Sequence, residues 1–193
     1  MSIPAAPSPA LLVMSIIFSP DSSGGLAPSP AYQQALDRLQ AAYGPLAGQG
    51  PIAKFRQTDY YDREMGSGLL RQFVCFAGLV RREQLATIKL FSNTVEQELA
   101  GADGRRRVNL DPGLLSVENL VLATGKNFTH RLYLHDGIFA EVTLIFQGGR
   151  FQSLPWTYWD YAADEVVSLL TAWRQELLGR LRAGEGSPPA SRS

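Results

Sequence analysis

One uninterrupted apolar run near the amino terminus limits the folds open to this chain more than any other feature. The run covers residues 11–18 (LLVMSIIF) and is followed at once by Ser19-Pro20-Asp21. It is far shorter than the roughly 20 residues that a membrane-spanning helix needs, and no Lys or Arg precedes it as in a signal peptide. A short apolar run bounded by chain-breaking residues is typical of a buried strand. We therefore expect a central β-strand here.

Composition supports one domain with a real core. The 193 residues are 45% hydrophobic and 19% charged, which are ordinary values for a globular domain. Eighteen basic residues balance eighteen acidic ones, and only three are lysines. This balance argues against a nucleic-acid or membrane partner. We expect a cytoplasmic domain over residues 11–182, with disordered tails at 1–10 and 183–193.

The single cysteine, Cys75, excludes an internal disulfide framework and any site built from several thiolates. Because it lies in the apolar run 73–76, we expect a buried thiol rather than a nucleophile.

The pattern of apolar residues predicts an α+β fold. Ser116 is expected to cap a helix, and Asp111-Pro112-Gly113 to form a turn. Helices and strands alternate early and strands cluster late, so we expect a single domain with one mixed β-sheet, a C-terminal antiparallel meander and helices packed on the sheet. The predicted helices are 31–43, 82–99, 116–124 and 160–181, and the predicted extended segments are 11–18, 55–61, 69–76, 107–110, 129–135, 138–146 and 150–154.

The meander places a histidine beside a carboxylate. Asp136-Gly137 is a pair favoured in two-residue hairpin turns, and that turn puts His130 and Glu141 on one face as near neighbours. A carboxylate orients and charges an imidazole, so the pair is a candidate acid–base unit. The alternative is a structural polar pair at the end of a sheet. The core face of the hairpin is expected to carry Tyr133, Ala140, Val142 and Leu144.

Two charged clusters are candidates for binding ions. Residues 58–66 (TDYYDREMG) are rich in carboxylates, and Asp59, Glu64 and Asp111 are the expected ligands if a hard cation takes part. The more common role of such a run is a charged loop. The second cluster covers residues 105–113 and begins with three arginines, whose guanidinium groups fit phosphate or carboxylate. Its alternative is a solvated basic turn.

An aromatic cluster precedes the last helix. In residues 155–161 (PWTYWDY), Trp156 and Tyr158 are candidates for stacking on a ligand ring. Packing of the helix on the sheet is the alternative role for these rings.

Six segments, in this order, resemble an uncharacterised bacterial family, domain-of-unknown-function family 4416. The resemblance spans about residues 11–182 and implies a conserved single-domain bacterial protein, with no activity to transfer. Lys89, Asn93 and Asp160 are among its motif positions, and Trp159 departs from the family, which tends to have proline there. The segments are TDYYDREMG, IKLFSN, RRRVNLDPG, LVLATGKNFTHRLYL, DGIFAEVTLIF and LPWTYWDY.

These features together favour a domain that binds a small anionic ligand, such as a nucleotide or another phosphate ester. Whether it is an enzyme stays open, and no cofactor is identified. The competing hypothesis is a non-catalytic protein-interaction module that uses an aromatic and arginine surface. In the ligand hypothesis the acid–base candidates are His130 and Glu141, and the ligand-binding candidates are Arg106, Arg107, Lys126, Arg131, Asn109, Trp156 and Tyr158.

Overall fold

The computed structural model describes residues 3–21, 25–55 and 62–185. Part of the extended segment predicted at 55–61, and the tail from 186 onward, lie outside the described residues. The strands are β1 (Ala10–Phe18), β2 (Leu46–Gln49), β3 (Ala53–Lys54), β4 (Leu70–Val80), β5 (Val108–Leu115), β6 (Asn119–Thr124), β7 (Leu132–Tyr133), β8 (Phe139–Gln147) and β9 (Arg150–Ser153). The helices are α1 (Pro30–Tyr43), α2 (Asp62–Met65), α3 (Leu85–Glu98) and α4 (Asp164–Arg182). None of the helices among the described residues has the length and apolar character needed to cross a membrane.

The strands form one open sheet with the order β2-β4-β1-β5-β6-β8-β7, and β3 and β9 pair with β4 and β8. This confirms a single α+β domain. All strand pairs among the described residues are antiparallel, so the expectation of a mixed sheet is wrong in that detail. The reason lies in the crossover from β4 through α3 to β5. Its two strands run parallel to each other, but β1 lies between them and pairs antiparallel with both.

The first part of the chain has the β-α-β-β-α-β arrangement, formed by β1, α1, β2, β4, α3 and β5. The later strands extend this sheet beyond β5. The predicted central strand is confirmed: β1 is buried along its whole length. Because side chains alternate along a strand, Leu12 and Met14 of β1 face α1 and α3, whereas Leu11 and Val13 belong to the core under α4.

Two local predictions are wrong, and both concern the end of β5. Pro112 does not turn the chain, because β5 continues through it and pairs with β1 opposite Met14. The predicted helix at 116–124 is instead a tight turn followed by strand β6. The Ser116 hydroxyl does cap the backbone, accepting hydrogen bonds from the amides of Glu118 and Asn119, but it caps a hairpin turn.

The Asp136-Gly137 hairpin is present but shorter than expected. Both residues have positive φ, 51° and 77°, as such a turn requires. The β7 strand covers only two residues, and it pairs Leu132 with Ala140, one residue away from the predicted register. The predicted core face is also wrong, because Leu144 is buried but Tyr133 is exposed.

Candidate functional site

The sheet splits between β5 and β6. The two strands pair only over 113–115 and 120–122, and the first half of β5 has no pairing with β6. Pro112 accounts for this, because alternate residues of an antiparallel strand direct their polar groups to the same side. Pro112 therefore shares the β6 side with Leu110, and proline has no N–H to offer there.

Side chains of α3 replace the missing strand. The backbone N–H of Leu110 donates to Oε1 of Glu96 at 2.6 Å, and its carbonyl accepts from Nζ of Lys89 at 2.8 Å. Both side chains are buried. A buried backbone group without a partner is costly, so these two polar residues stabilise β5 where the sheet is open.

The split opens into a cleft of about 640 Å³. Its position follows from the strand register, which sets Ile17 of β1 opposite both Arg71 of β4 and Asn109 of β5. The segment 158–161, which leads into α4, forms another wall. The cleft is lined by Ile17, Phe55, Arg71, Lys89, Asn93, Glu96, Arg106, Asn109, Asp111, Leu122, Ala123, Thr124, Gly125, Lys126, Arg131, Glu141, Tyr158, Trp159, Asp160 and Tyr161.

Opposite charges alternate around its wall as ion pairs. Lys89 lies 3.1 Å from Asp111, and Nη1 of Arg106 lies 3.2 Å from Glu96. Arg71 pairs with Asp160, and its guanidinium lies over the ring of Tyr161 at 4.7 Å. Arg106 also reaches outward to Glu64 on α2, with Nε 3.1 Å from Oε2.

The environment shifts the two carboxyl groups nearest Lys89 in opposite directions. Burial raises the pKa of Glu96, and the attraction of Lys89 offsets only part of that effect. Desolvation also acts on Asp111, but Lys89 and the amide of Asn109, 2.7 Å away, together hold the pKa of Asp111 below its ordinary value. Asp111 is therefore the firmly ionised member of this pair of carboxyl groups.

Two side chains, those of His130 and Arg131, contact the same carboxylate oxygen of Glu141. Its Oε2 lies 2.8 Å from Nε2 of His130 and 2.8 Å from Nε of Arg131. His130 in turn stacks on Trp156, with ring centroids 4.7 Å apart and an interplanar angle of 10°. The Trp156 indole is held by its N–H, which donates to the carbonyl of Val142 at 2.8 Å.

The structure brings together most of the residues singled out from the sequence. Glu64 contacts the cleft residue Arg106. His130 contacts Glu141 and Trp156 stacks on His130, but neither of these two rings lines the cleft. Arg107 points elsewhere and pairs with Asp103 at the surface. Asp59 lies outside the described residues. The predicted residues that do line the cleft are Arg106, Asn109, Asp111, Lys126, Arg131, Glu141 and Tyr158.

Sequence reasoning did not assign Arg71, Lys89, Glu96 or Tyr161 to the site. A signal existed for three of them. Lys89 and Glu96 are seven residues apart, so they lie on the same face of a helix. Arg71 likewise interrupts an apolar strand. Charged residues at positions where the pattern requires burial were the sign of a polar site inside the fold.

Within the described ranges, no group of three or more His, Cys, Asp or Glu side chains is arranged to hold a metal ion. Glu64 and Asp111 each bind a cationic side chain instead. The cation site suggested by the sequence therefore stays a prediction.

A family model with the description "Domain of unknown function (DUF4416)" matches residues 8–177. The chain belongs to the DUF4416 family. The match takes in every side chain of the cleft, so the site of this DUF4416 protein lies wholly inside the family domain. No curated protein and no solved structure matches the chain.

Proposed function

We propose that the cleft binds a small anionic molecule of the phosphate-ester class, with nucleotides included. One observation carries the proposal: five cationic side chains line a single cleft whose volume, about 640 Å³, lies in the range of small-molecule sites. They are Arg71, Lys89, Arg106, Lys126 and Arg131. Balanced charge and a single cysteine support the expectation of a cytoplasmic protein.

The cations divide by depth. Arg71 and Lys89 are buried and held by Asp160 and Asp111, so they shape the floor of the cleft. Arg106 is more exposed than either, and Lys126 is exposed. The nearby Arg131 donates to the carbonyl of Lys126 at 2.9 Å. The anionic group is therefore assigned to Arg106 and Lys126, whose charge a ligand reaches from solvent, while the largely buried Arg131 adds positive charge beside Lys126.

Glu141 is the acid–base group of the proposal if the bound ligand reacts. Its carboxylate faces the cleft, whereas His130 touches it from behind. His130 is then a positioning residue, since its contact is with Glu141 and not with the ligand. A carboxylate fixed by two neighbours is held in one orientation, which general acid–base chemistry requires.

Two adjacent arginines provide a matched test. AMP, GMP, CMP, UMP and ribose 5-phosphate would be titrated calorimetrically into the wild-type chain and into Arg106→Gln and Arg107→Gln. Loss of a hydrogen bond to a charged group costs about 1.5–3 kcal/mol, so Arg106→Gln should weaken binding about 10- to 150-fold. Arg107→Gln should bind as the wild type does, because Arg107 pairs with Asp103 outside the cleft. Absence of binding by all probes at about 1 mM, a weak-affinity limit, or equal losses in both variants, would contradict the proposal.

A second candidate function is favoured by the exposed apolar side chains at the end of the sheet. Phe128, Leu132 and Tyr133 are exposed beside the short edge strand β7, and exposed apolar groups at a sheet edge are typical of protein-binding surfaces. In this alternative the chain is an interaction module. Crosslinking in cells should then capture one partner with the wild type and lose it with Leu132→Glu. Capture that is unchanged by Leu132→Glu would argue against this surface.

A further inference from the structure

Two aromatic rings stand at the mouth of the cleft. Tyr158 and Trp159 both line it, and they are 55% and 62% exposed. The other two tryptophans are engaged elsewhere: Trp156 stacks on His130, and Trp173 of α4 is buried in the core between that helix and the sheet. Large apolar rings that remain exposed at a concave site are typical of ligand contacts.

The segment that presents these rings is tied to the sheet. The hydroxyl of Thr157 donates to the carbonyl of Thr143 in β8 at 2.5 Å, and it accepts from the amide of Leu154 at 2.7 Å. The amide of Tyr161 donates to the carbonyl of Tyr158 at 2.9 Å. A ligand that meets rings on such a fixed turn does not have to order a loop, so less binding energy is lost.

The same cleft therefore combines two chemistries. Lys126 and Arg131 supply positive charge, and Trp159 supplies an exposed indole face. Asn93 also lines the cleft, and its amide side chain can both donate and accept hydrogen bonds. Inorganic phosphate or a simple sugar phosphate would use the charges and leave the rings in water.

We infer that the ligand carries a planar aromatic ring as well as its anionic group, and that the ring stacks on Trp159 at the mouth of the cleft. This makes a nucleotide, rather than a sugar phosphate, the ligand class. The inference rests on the proposed function, because it uses the same cleft and the same cations. Stacking of a base on an aromatic side chain is tolerant of which base is bound, so the inference concerns the ring and not its identity.

The test compares ligands that differ by the ring alone. Calorimetric titrations of the full chain would use AMP, GMP, CMP and UMP beside ribose 5-phosphate. At least one nucleotide should bind about tenfold more tightly than ribose 5-phosphate, the expected effect of one stacked base. In Trp159→Ala that advantage should disappear while the affinity for ribose 5-phosphate stays unchanged, and Trp159→Phe should keep part of it.

Tyr133→Ala is the matched control, because Tyr133 is as exposed as Trp159 and does not line the cleft. It should leave the affinity for every probe unchanged. Equal affinities for nucleotides and ribose 5-phosphate would overturn the ring inference and leave the anion site standing. A nucleotide advantage that survives Trp159→Ala, or that is lost in Tyr133→Ala, would also overturn it. Binding of neither class would overturn the proposed function itself.

Discussion

Replacing Glu141 by glutamine tests whether the cleft depends on a buried ion cluster. The Glu141 side chain is 3% exposed, and its Oε2 lies 2.8 Å from both His130 and Arg131. Glutamine keeps the shape and removes the charge, so the guanidinium of Arg131 loses its counter-ion in a largely buried place. Breaking a buried pair costs about 3–5 kcal/mol. Because Arg131 keeps its bond to the carbonyl of Lys126, we expect the lower limit, about 3 kcal/mol.

His130→Ala should cost less than Glu141→Gln. It removes one hydrogen bond, worth about 1 kcal/mol, and one stacked ring contact with Trp156, worth about 1 kcal/mol. The expected loss is therefore about 2 kcal/mol, with the ion pair between Glu141 and Arg131 left intact.

Urea unfolding followed by circular dichroism measures both losses. In thermal unfolding, the loss of about 3 kcal/mol expected for Glu141→Gln corresponds to a fall of roughly 6–12 °C in Tm for a chain of this length. Arg107→Gln is the control, since its exposed pair with Asp103 should contribute no more than about 0.5 kcal/mol. A loss below about 1 kcal/mol for Glu141→Gln, outside the range for a buried pair, would refute the reasoning. Unchanged stability with lost ligand response would assign the pair to function alone.

Two further predictions follow from shifted pKa values. Lys89 keeps the pKa of Asp111 low despite desolvation, so Asp111 stabilises the fold above about pH 4 and loses that effect as pH falls through its folded pKa. In urea unfolding from about pH 6 to about pH 3, the wild type should therefore lose stability more steeply than Asp111→Asn; parallel curves would contradict this. Burial raises the pKa of Cys75 to about 12, so Ellman's reagent should label it only after denaturation. Rapid labelling of the native chain would show that the thiol is accessible.

Local signals predicted much of the fold. The apolar run of β1, the helix that ends at Gly44 and the Asp136-Gly137 turn are each encoded within a few neighbouring residues. The failures at Ser116 and Pro112 share one cause. Each residue type has a local preference that fits two structures, and the pairing of β5 with β1 decided between them.

The contact between His130 and Glu141 was predicted, but the geometry behind the prediction was wrong. In a hairpin with full strands over 129–135 and 138–146, as predicted, a slip of one residue would put the two side chains on opposite faces. The pairing is in fact shifted by one residue, and β7 begins only at Leu132. His130 lies in a turn before the strand, where the amide of Arg131 donates to the carbonyl of Phe128 at 3.1 Å. The turn frees His130 from the alternation of the strand and lets it reach Glu141.

Charged residues within apolar elements indicated a polar site, but the position of the cleft had no local signal, because it arises where a strand pairing is absent. Pro112 has no N–H to donate to β6. Leu110, two residues before it, has a backbone N–H and carbonyl on the same side, beyond the stretch of β5 that pairs with β6. Lys89 and Glu96 bind those groups from α3, and they lie 21 and 14 residues before Leu110 in the sequence. Once the two side chains are committed to Leu110, their charges draw Asp111 and Arg106 into the same space. The polar wall of the cleft is thus a consequence of how the open sheet satisfies its backbone, which explains why its deepest charges are paired and its accessible ones lie at the rim.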